Sequence, residues 1–303
     1  MSLLLPNGEF SLGLSMPVKP HKPPESSPTR ERSGKPQTSH AKRSVRNGVA
    51  KLEREHGKQN LAFVTYTLPE LPAEDMDKAR EGLPEILRQL KQSIERDLSR
   101  AGIDPEVVYV VEIHPERYER TGEIVPHVHV VFQSRKHYWA PYAISKERNT
   151  EIWNRAVSNV IGRRVEMPWA ARIEQVKKSA ERYMAKYMSK GGKLAEQAIK
   201  DGKKQWLPKQ WWGMSFSLRR WIKANTRLLS SKDEQFIKDN YKEFKADINH
   251  SPFSWIHDHN VDTSEPGEEP RWLLVAIVGK VREEFMSMFE GRSLTDAPMS
   301  WEW

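Results

Sequence analysis

The chain has no cysteine among its 303 residues, which excludes disulfides, thiolate zinc sites and cysteine nucleophiles together. That absence suits a reducing, cytoplasmic setting. No apolar run approaches the roughly 20 residues that span a bilayer, so no membrane span is expected. Met1 to Leu14 holds Leu3, Leu4 and Leu5 with no basic segment before them, a poor match to a signal peptide. A Gly-x4-Gly-Lys-Ser/Thr phosphate loop is also missing. An ATP-driven motor within this chain is therefore not expected, and unwinding of a nucleic acid would fall to a partner.

Positive charge is plentiful. The formal net charge is +8, which favours polyanionic partners such as nucleic acid. Its distribution is uneven: Arg172 to Arg227 holds 15 Lys and Arg against 4 Asp and Glu, whereas Lys232 to Trp303 holds 8 against 15. The basic stretch is the place for a phosphate backbone, with Lys186, Lys190, Lys193, Arg219 and Arg220 as candidate DNA contacts. Trp206, Trp211, Trp212 and Trp221 lie within it. Aromatics on a basic surface stack unpaired bases at roughly 1–3 kcal/mol each, which makes Trp211 a candidate contact; the competing reading places these rings in the core.

Composition divides the chain in three. Residues 1–47 are rich in Pro, Ser, Lys and Arg and read as a disordered basic arm. Residues 48–229 carry the regular patterns of a folded domain, and 230–303 form an acidic region read, on charge alone, as an interaction module. Within the domain, LAFVTYTLP (Leu61 to Pro69) predicts a strand stopped by proline. Three-and-four spacing of leucine and isoleucine predicts a helix from about Leu83 to Arg100. Strands are expected at Val107 to Ile113 and Pro126 to Gln133, joined around a polar turn at Arg117 to Gly122. Ser145 and Gly162 bracket a helix from Lys146 to Ile161. Arg172 to Val176 reads as a strand, Ser179 to Lys190 as a helix closed by Gly191 and Gly192, and Met214 to Leu218 as a last strand. Trp272 to Phe289 reads as a strand and a helix. The alternation lacks βαβ regularity, so the expected class is α+β, a central antiparallel sheet with helices on one face.

Two constellations carry chemistry. In PHVHVVF, His127 and His129 are two residues apart on a strand, hence on one face with Cα atoms about 6.6 Å apart. A hairpin brings Glu112 of the preceding strand beside them, with His114 as an alternative third ligand two residues on. One carboxylate and two imidazoles leave coordination positions open, as a Lewis-acid site for Mg²⁺ or Mn²⁺ needs. A second pair, His257 and His259, lies in a stretch without strand alternation and reads as accidental. In YMAKYMSK, Tyr183, Lys186, Tyr187 and Lys190 share one helix face, with Met184, Ala185 and Met188 opposite. Two tyrosines beside two lysines suit a phenol nucleophile acting next to bound phosphate.

These motifs resemble the HUH endonuclease superfamily, nearest to two-tyrosine replication initiators of the phage gene A and plasmid Rep type. FVTYTLP (Phe63 to Pro69) is similar to the family's first motif and Val110 to Phe132 to its second. Tyr183 to Lys190 matches the third, Tyr-x-Ala-Lys-Tyr-x-x-Lys, and WWGMS (Trp211 to Ser215) resembles a Trp-Gly strand that often follows. The resemblance covers about Asn60 to Arg227. The loop between Glu112 and His127 is longer than the usual form, so Glu112 and His114 both stand as third ligand.

The resemblance implies a ferredoxin-like nuclease domain and a metal on His127, His129 and Glu112 or His114. Tyr183 or Tyr187 would attack to leave a 5′-phosphotyrosine and a free 3′-hydroxyl, with Lys186 and Lys190 on phosphate. The implied activity is nicking and rejoining of single-stranded DNA at a replication origin, with host helicase and polymerase as partners. Two competitors use the same residues: a two-tyrosine transposase, and a DNA-binding protein on this fold without turnover. Sequence does not fix the oligomeric state.

Overall fold

The structure, a computed structural model, describes residues 3–4, 10–13, 39–176, 180–228, 255–260, 272–278 and 295–296. Side chains are described for 41–176, 180–181, 183–184, 187–188 and 194–226. The chain divides into one unit of residues Thr29–Arg219 and one of Met1–Pro28 with Arg220–Trp303. In chain order the helices are α1 (Ser39–His56), α2 (Ala73–Glu81), α3 (Leu83–Arg100), α4 (Pro115–Thr121), α5 (Lys146–Ile161), α6 (Ala180–Lys200) and α7 (Phe216–Asn225). The strands are β1 (Leu3–Leu4), β2 (Phe10–Gly13), β3 (Leu61–Thr67), β4 (Val107–Ile113), β5 (Pro126–Gln133), β6 (Ala171–Gln175), β7 (Trp212–Met214), β8 (Arg227–Leu228), β9 (Trp255–Asn260), β10 (Trp272–Val278) and β11 (Thr295–Asp296).

Residues Thr29–Arg219 are built on an antiparallel sheet of order β6-β3-β5-β4-β7. Its strands are rich in valine and aromatics, which suit a pleated, packed surface. Along β3, β4 and β5 the side chains alternate. One face presents Val64, Tyr66, Tyr109, Val111, Val130 and Phe132 to the leucines and isoleucines of α3 and to Ile152 and Trp153 of α5. Each fully buried aliphatic side chain there contributes about 1.5–3 kcal/mol. Helix α5 starts where Ser145 Oγ accepts from Arg148 N at 3.1 Å and stops at Gly162, whose φ of 78° is left-handed. Both ends follow the expected capping residues.

The opposite face is also covered, which corrects the expectation of helices on one face. All seven residues of β4 are buried, and its near-continuous apolar run is the pattern of a strand packed on both sides. Helices α1 and α6 provide the second layer. Helix α1 buries a stripe of Ala41, Val45, Val49 and Leu52 and comes so close that a Cβ at Gly48 would stand 3.1 Å from Val108 Cγ2. Helix α6 buries Met184 and Met188. Polar ties join the two helices: Arg46 Nε donates to Glu181 Oε1 at 2.8 Å, and the Glu53 carboxylate accepts from Ala180 N at the start of α6. Farther along α1, Lys51 Nζ lies 2.7 Å from both Glu106 and Glu55.

Several boundaries depart from the sequence reading. Helix α1 begins at Ser39, inside the stretch assigned to a basic arm, because the apolar spacing starts at Ala41. The polar turn at Arg117 to Gly122 is helical, with His114 as N-cap of α4 and Gly122 (φ 69°) ending it. Helix α6 passes Gly191 and Gly192 and reaches Lys200. Two helical glycines cost about 1 kcal/mol each, and burial of Ala195 and Ala198 in one cluster with Trp211 offsets part of that. Where a strand to Leu218 was expected, β7 ends at Met214 and α7 begins at Phe216. Helix α2 was not anticipated.

In the other unit the described strands form one sheet of order β11-β8-β1-β2-β10-β9. Strand β10 pairs antiparallel with both β2 and β9. Residues from the predicted arm and from the acidic region thus share a sheet, because an average over 47 residues hides the short runs LLL and FSLGL. His257 and His259 lie on β9, opposite Ala276 and Leu274, not in an irregular stretch. Residues 14–38 of the arm and the helix predicted after Trp272 lie outside the described residues. No described helix is long and apolar enough to cross a membrane.

The Lys51 cluster gives a stability prediction. Lys51→Met leaves the buried Glu106 carboxylate without its ammonium partner and is expected to cost about 3 kcal/mol in urea unfolding, while Lys51→Met/Glu106→Leu recovers most of it. Equal stability of the single variant and the parent would contradict the role given to this tie.

Candidate metal centre and nucleophiles

Antiparallel register brings the candidate ligands together. Glu112 on β4 pairs with His127 on β5, and Val110 with His129; β3 sets Thr65 opposite His129 and Thr67 opposite His127. Directly opposed residues share a face, so Glu112, His127, His129 and Thr65 all point to the α1/α6 side. Glu112 and His129 are each 2% exposed. His129 Nε2 lies 3.0 Å from Glu112 Oε2, and His129 Nδ1 lies 3.1 Å from Thr65 Oγ1. The rings of His127 and His129 are 4.8 Å apart.

The donor set fits a divalent cation. One ligand atom from each of Glu112, His127 and His129 lies within 4.8 Å of the others. Ligands trans across an ion bound at about 2.1 Å stand about 4.2 Å apart, so small side-chain rotations close the set. His127 Nδ1 is buried and has no hydrogen-bond partner among the described residues, an arrangement that costs free energy unless something fills it. Thr65 holds the far nitrogen of His129 and fixes which nitrogen faces Glu112, as second-sphere partners of metal histidines do.

His114 stands apart from that group. Its Nδ1 accepts from Arg117 N at 3.5 Å as the cap of α4, and its ring stacks on His127 at 4.9 Å with an interplanar angle of 10°. It supports His127, and Glu112 is the carboxylate brought to both histidines. A further trio, Glu55, His56 and Glu106, already has the Lys51 ammonium on both carboxylates.

The tyrosines lie over this centre. Tyr183 and Tyr187, one turn apart on α6, are half-buried. Tyr187 stacks on the His129 ring with centroids 3.7 Å apart, and Phe63 lies 5.6 Å from Tyr187 and 5.7 Å from Tyr183. Tyr183 lines a cleft of about 340 Å³ with Phe63, Glu174, Gln175 and Val176. Burial raises the Tyr187 phenol above its usual pKa, helped by the carboxylates of Glu112 and Glu174. Burial, with the neighbouring imidazoles of His129 and His114, depresses His127 to about 2, so its ring is neutral and free to ligate at any ordinary pH.

Of the remaining sequence candidates, Trp211 is corrected. It is 6% exposed and packs with Ile113, Tyr118, Ile124 and Leu207, so its ring is not available to a base. Arg219 and Arg220 are exposed. Lys186, Lys190 and Lys193 lie on α6, with side chains outside the described residues. Sequence reasoning missed Thr65 and Phe63, although both sit in the FVTYTLP motif at the alternate positions that mark one strand face. No protein-family model, curated protein or solved structure matches the chain.

The depressed His127 makes stability pH-dependent. Below its unfolded value of 6.5 the unfolded chain takes up a proton that the folded one refuses, so stability held above that pH is lost as the pH falls. His56 and His114, also lowered by burial, act in the same direction. Metal-free protein should therefore show a lower urea midpoint at about pH 5 than at about pH 7, and His127→Asn should reduce that difference. An unchanged difference in the variant would rule out His127 as a contributor.

Proposed function

We propose that this centre cuts and rejoins single-stranded DNA by transferring a phosphoryl group to tyrosine, in the manner of a rolling-circle replication initiator. The observation that carries the reading is the 3.7 Å stack of Tyr187 on His129, which sets a phenol beside a buried carboxylate and two imidazoles. A nucleophile, a cation site and a half-open cleft in one place are the parts that phosphodiester transfer needs. Glu112, His127 and His129 would hold Mg²⁺ or Mn²⁺. When bound, the ion supplies a Lewis acid for a phosphate oxygen and offsets the Glu112 charge that opposes ionisation of Tyr187.

The chain's own groups account for the rest. The phenol oxygen of Tyr187 forms a bond to phosphorus as the bond to the 3′-oxygen breaks, and the phenol's proton ends on the 3′-hydroxyl. One phosphodiester is exchanged for another, so rejoining needs no nucleotide cofactor. Thr65 keeps His129 oriented, and Phe63 holds both phenol rings by contact at 5.6 and 5.7 Å. Tyr183, on the cleft, is placed to receive a strand in a second transfer. By spacing on α6, Lys186 and Lys190 share the tyrosine face and suit a phosphate.

The test is a denaturing gel of purified protein with labelled single-stranded DNA pools and Mn²⁺. A covalent protein–DNA adduct is expected, abolished by EDTA. Tyr187→Phe should slow its formation by more than about 100-fold, and Glu112→Gln comparably, the scale of losing a nucleophile or its electrostatic support. Tyr183→Phe should impair the first cut less. Binding without adduct across the pool would move the protein to DNA recognition without turnover.

A further inference from the structure

The strand that enters this centre needs more surface than the cleft provides, and the loop after β5 offers it. Residues 134–146 read SRKHYWAPYAISK, with three Arg or Lys and one His and no acidic residue. In a chain with 41 Asp and Glu, a run of this length without one is a local electropositive patch. It is also aromatic. Tyr138 is 63% exposed and Trp139 70% exposed, so two large rings adjacent in the chain meet solvent side by side.

The loop is built to present those rings. Its ends are closed by Ala143 N donating to Ser134 O at 2.8 Å, and Ser134 N donates to Asn60 O at 2.8 Å, which anchors it to the sheet. Arg135 is the inner strut: Nη1 donates to the Tyr138 carbonyl at 2.7 Å and the guanidinium lies 4.0 Å from the Tyr142 ring centroid. On the outside, His137 and Trp139 stack with centroids 4.6 Å apart and planes 5° from parallel. Tyr138 meets Trp139 edge-on at 5.2 Å. Lys136 and His137 are exposed beside them.

We infer that the His137–Tyr138–Trp139 tip is a base-stacking platform for single-stranded DNA, with Lys136 against its phosphates. Parallel, exposed rings beside positive charge, in a run with no carboxylate of its own, fit unpaired bases, whose faces any aromatic can stack. A duplex hides those faces. An acidic protein partner would use the charge but leave Trp139 uncovered by a matching ring. The tip follows the far end of β5, six residues from His127, or about 20 Å along the strand. It therefore holds the strand away from the reacting phosphate, and its removal leaves the chemistry intact.

The inference rests on the strand-transfer reading for its choice of DNA, and two measurements on the same preparations separate them. Fluorescence anisotropy with labelled oligo-dT reads binding, and the adduct gel at saturating DNA reads chemistry. Trp139→Ala should weaken oligo-dT binding at least about fivefold, the lower end for one stacked base. Tyr138→Ala/Trp139→Ala should weaken it further, while Trp139→Phe stays near the parent. The adduct rate at saturation should be unchanged in all of them. Loss of binding with no adduct in the parent upholds the platform and sinks the enzyme reading. Parent-like binding by the double variant overturns the platform, whatever the adduct gel shows.

Discussion

A carboxylate at 2% exposure lies 3.0 Å from the His129 ring and opposite His127 because the pairing of β4 with β5 puts it there. Burying a charged carboxylate costs several kcal/mol, on the order of what an entire domain has to spare, unless partners compensate it. The register supplies the partners: Glu112 faces His127 and reaches His129. A slip of β5 by one residue would turn both histidines onto the other face, among the leucines of α3, and leave Glu112 without them. Register is therefore fixed twice, by the apolar face that must meet α3 and α5 and by the polar group that must meet itself.

The surrounding structure follows from that placement. The sheet's second face carries valines as well as the ligands, so it needs a helical cover, and the cover carries the tyrosines. Helix α1 holds α6 through Arg46–Glu181 and through the Glu53 carboxylate at the α6 start. With one turn between Tyr183 and Tyr187, fixing the start of α6 fixes both rings over Phe63. Burial and Glu112 hold the Tyr187 phenol protonated, and positive charge at the Glu112–histidine group is what reverses the second of these effects.

Much of this was legible in the residues. Strands β4 and β5 and helices α3 and α5 run over the residues that periodicity and capping indicate, because long apolar repeats with Ser145 and Gly162 at their ends leave little ambiguity. The ligand trio was legible for the same reason, since period two places Glu112, His127 and His129 on one face. Other features depend on tertiary packing that no local pattern reports. Helix α6 continues past two glycines, and Ala195 and Ala198 beyond them join the buried cluster around Trp211. Trp211 sits in a basic stretch, yet its indole fills a core. The second helical layer was signalled only by the near-continuous apolar run of β4. The sheet joining β1 and β2 to β10 pairs segments about 260 residues apart, beyond the reach of any local periodicity.

The central claim is that Glu112, His127 and His129 form one cation site beside Tyr187. Pulsed electron paramagnetic resonance of the protein titrated with Mn²⁺ tests it most directly. The expected result is a tightly bound Mn²⁺ showing imidazole nitrogen couplings that disappear in His127→Asn/His129→Asn, while the Lys51 cluster variants leave them unchanged. A spectrum without nitrogen couplings, or one that survives the double histidine substitution, would contradict it.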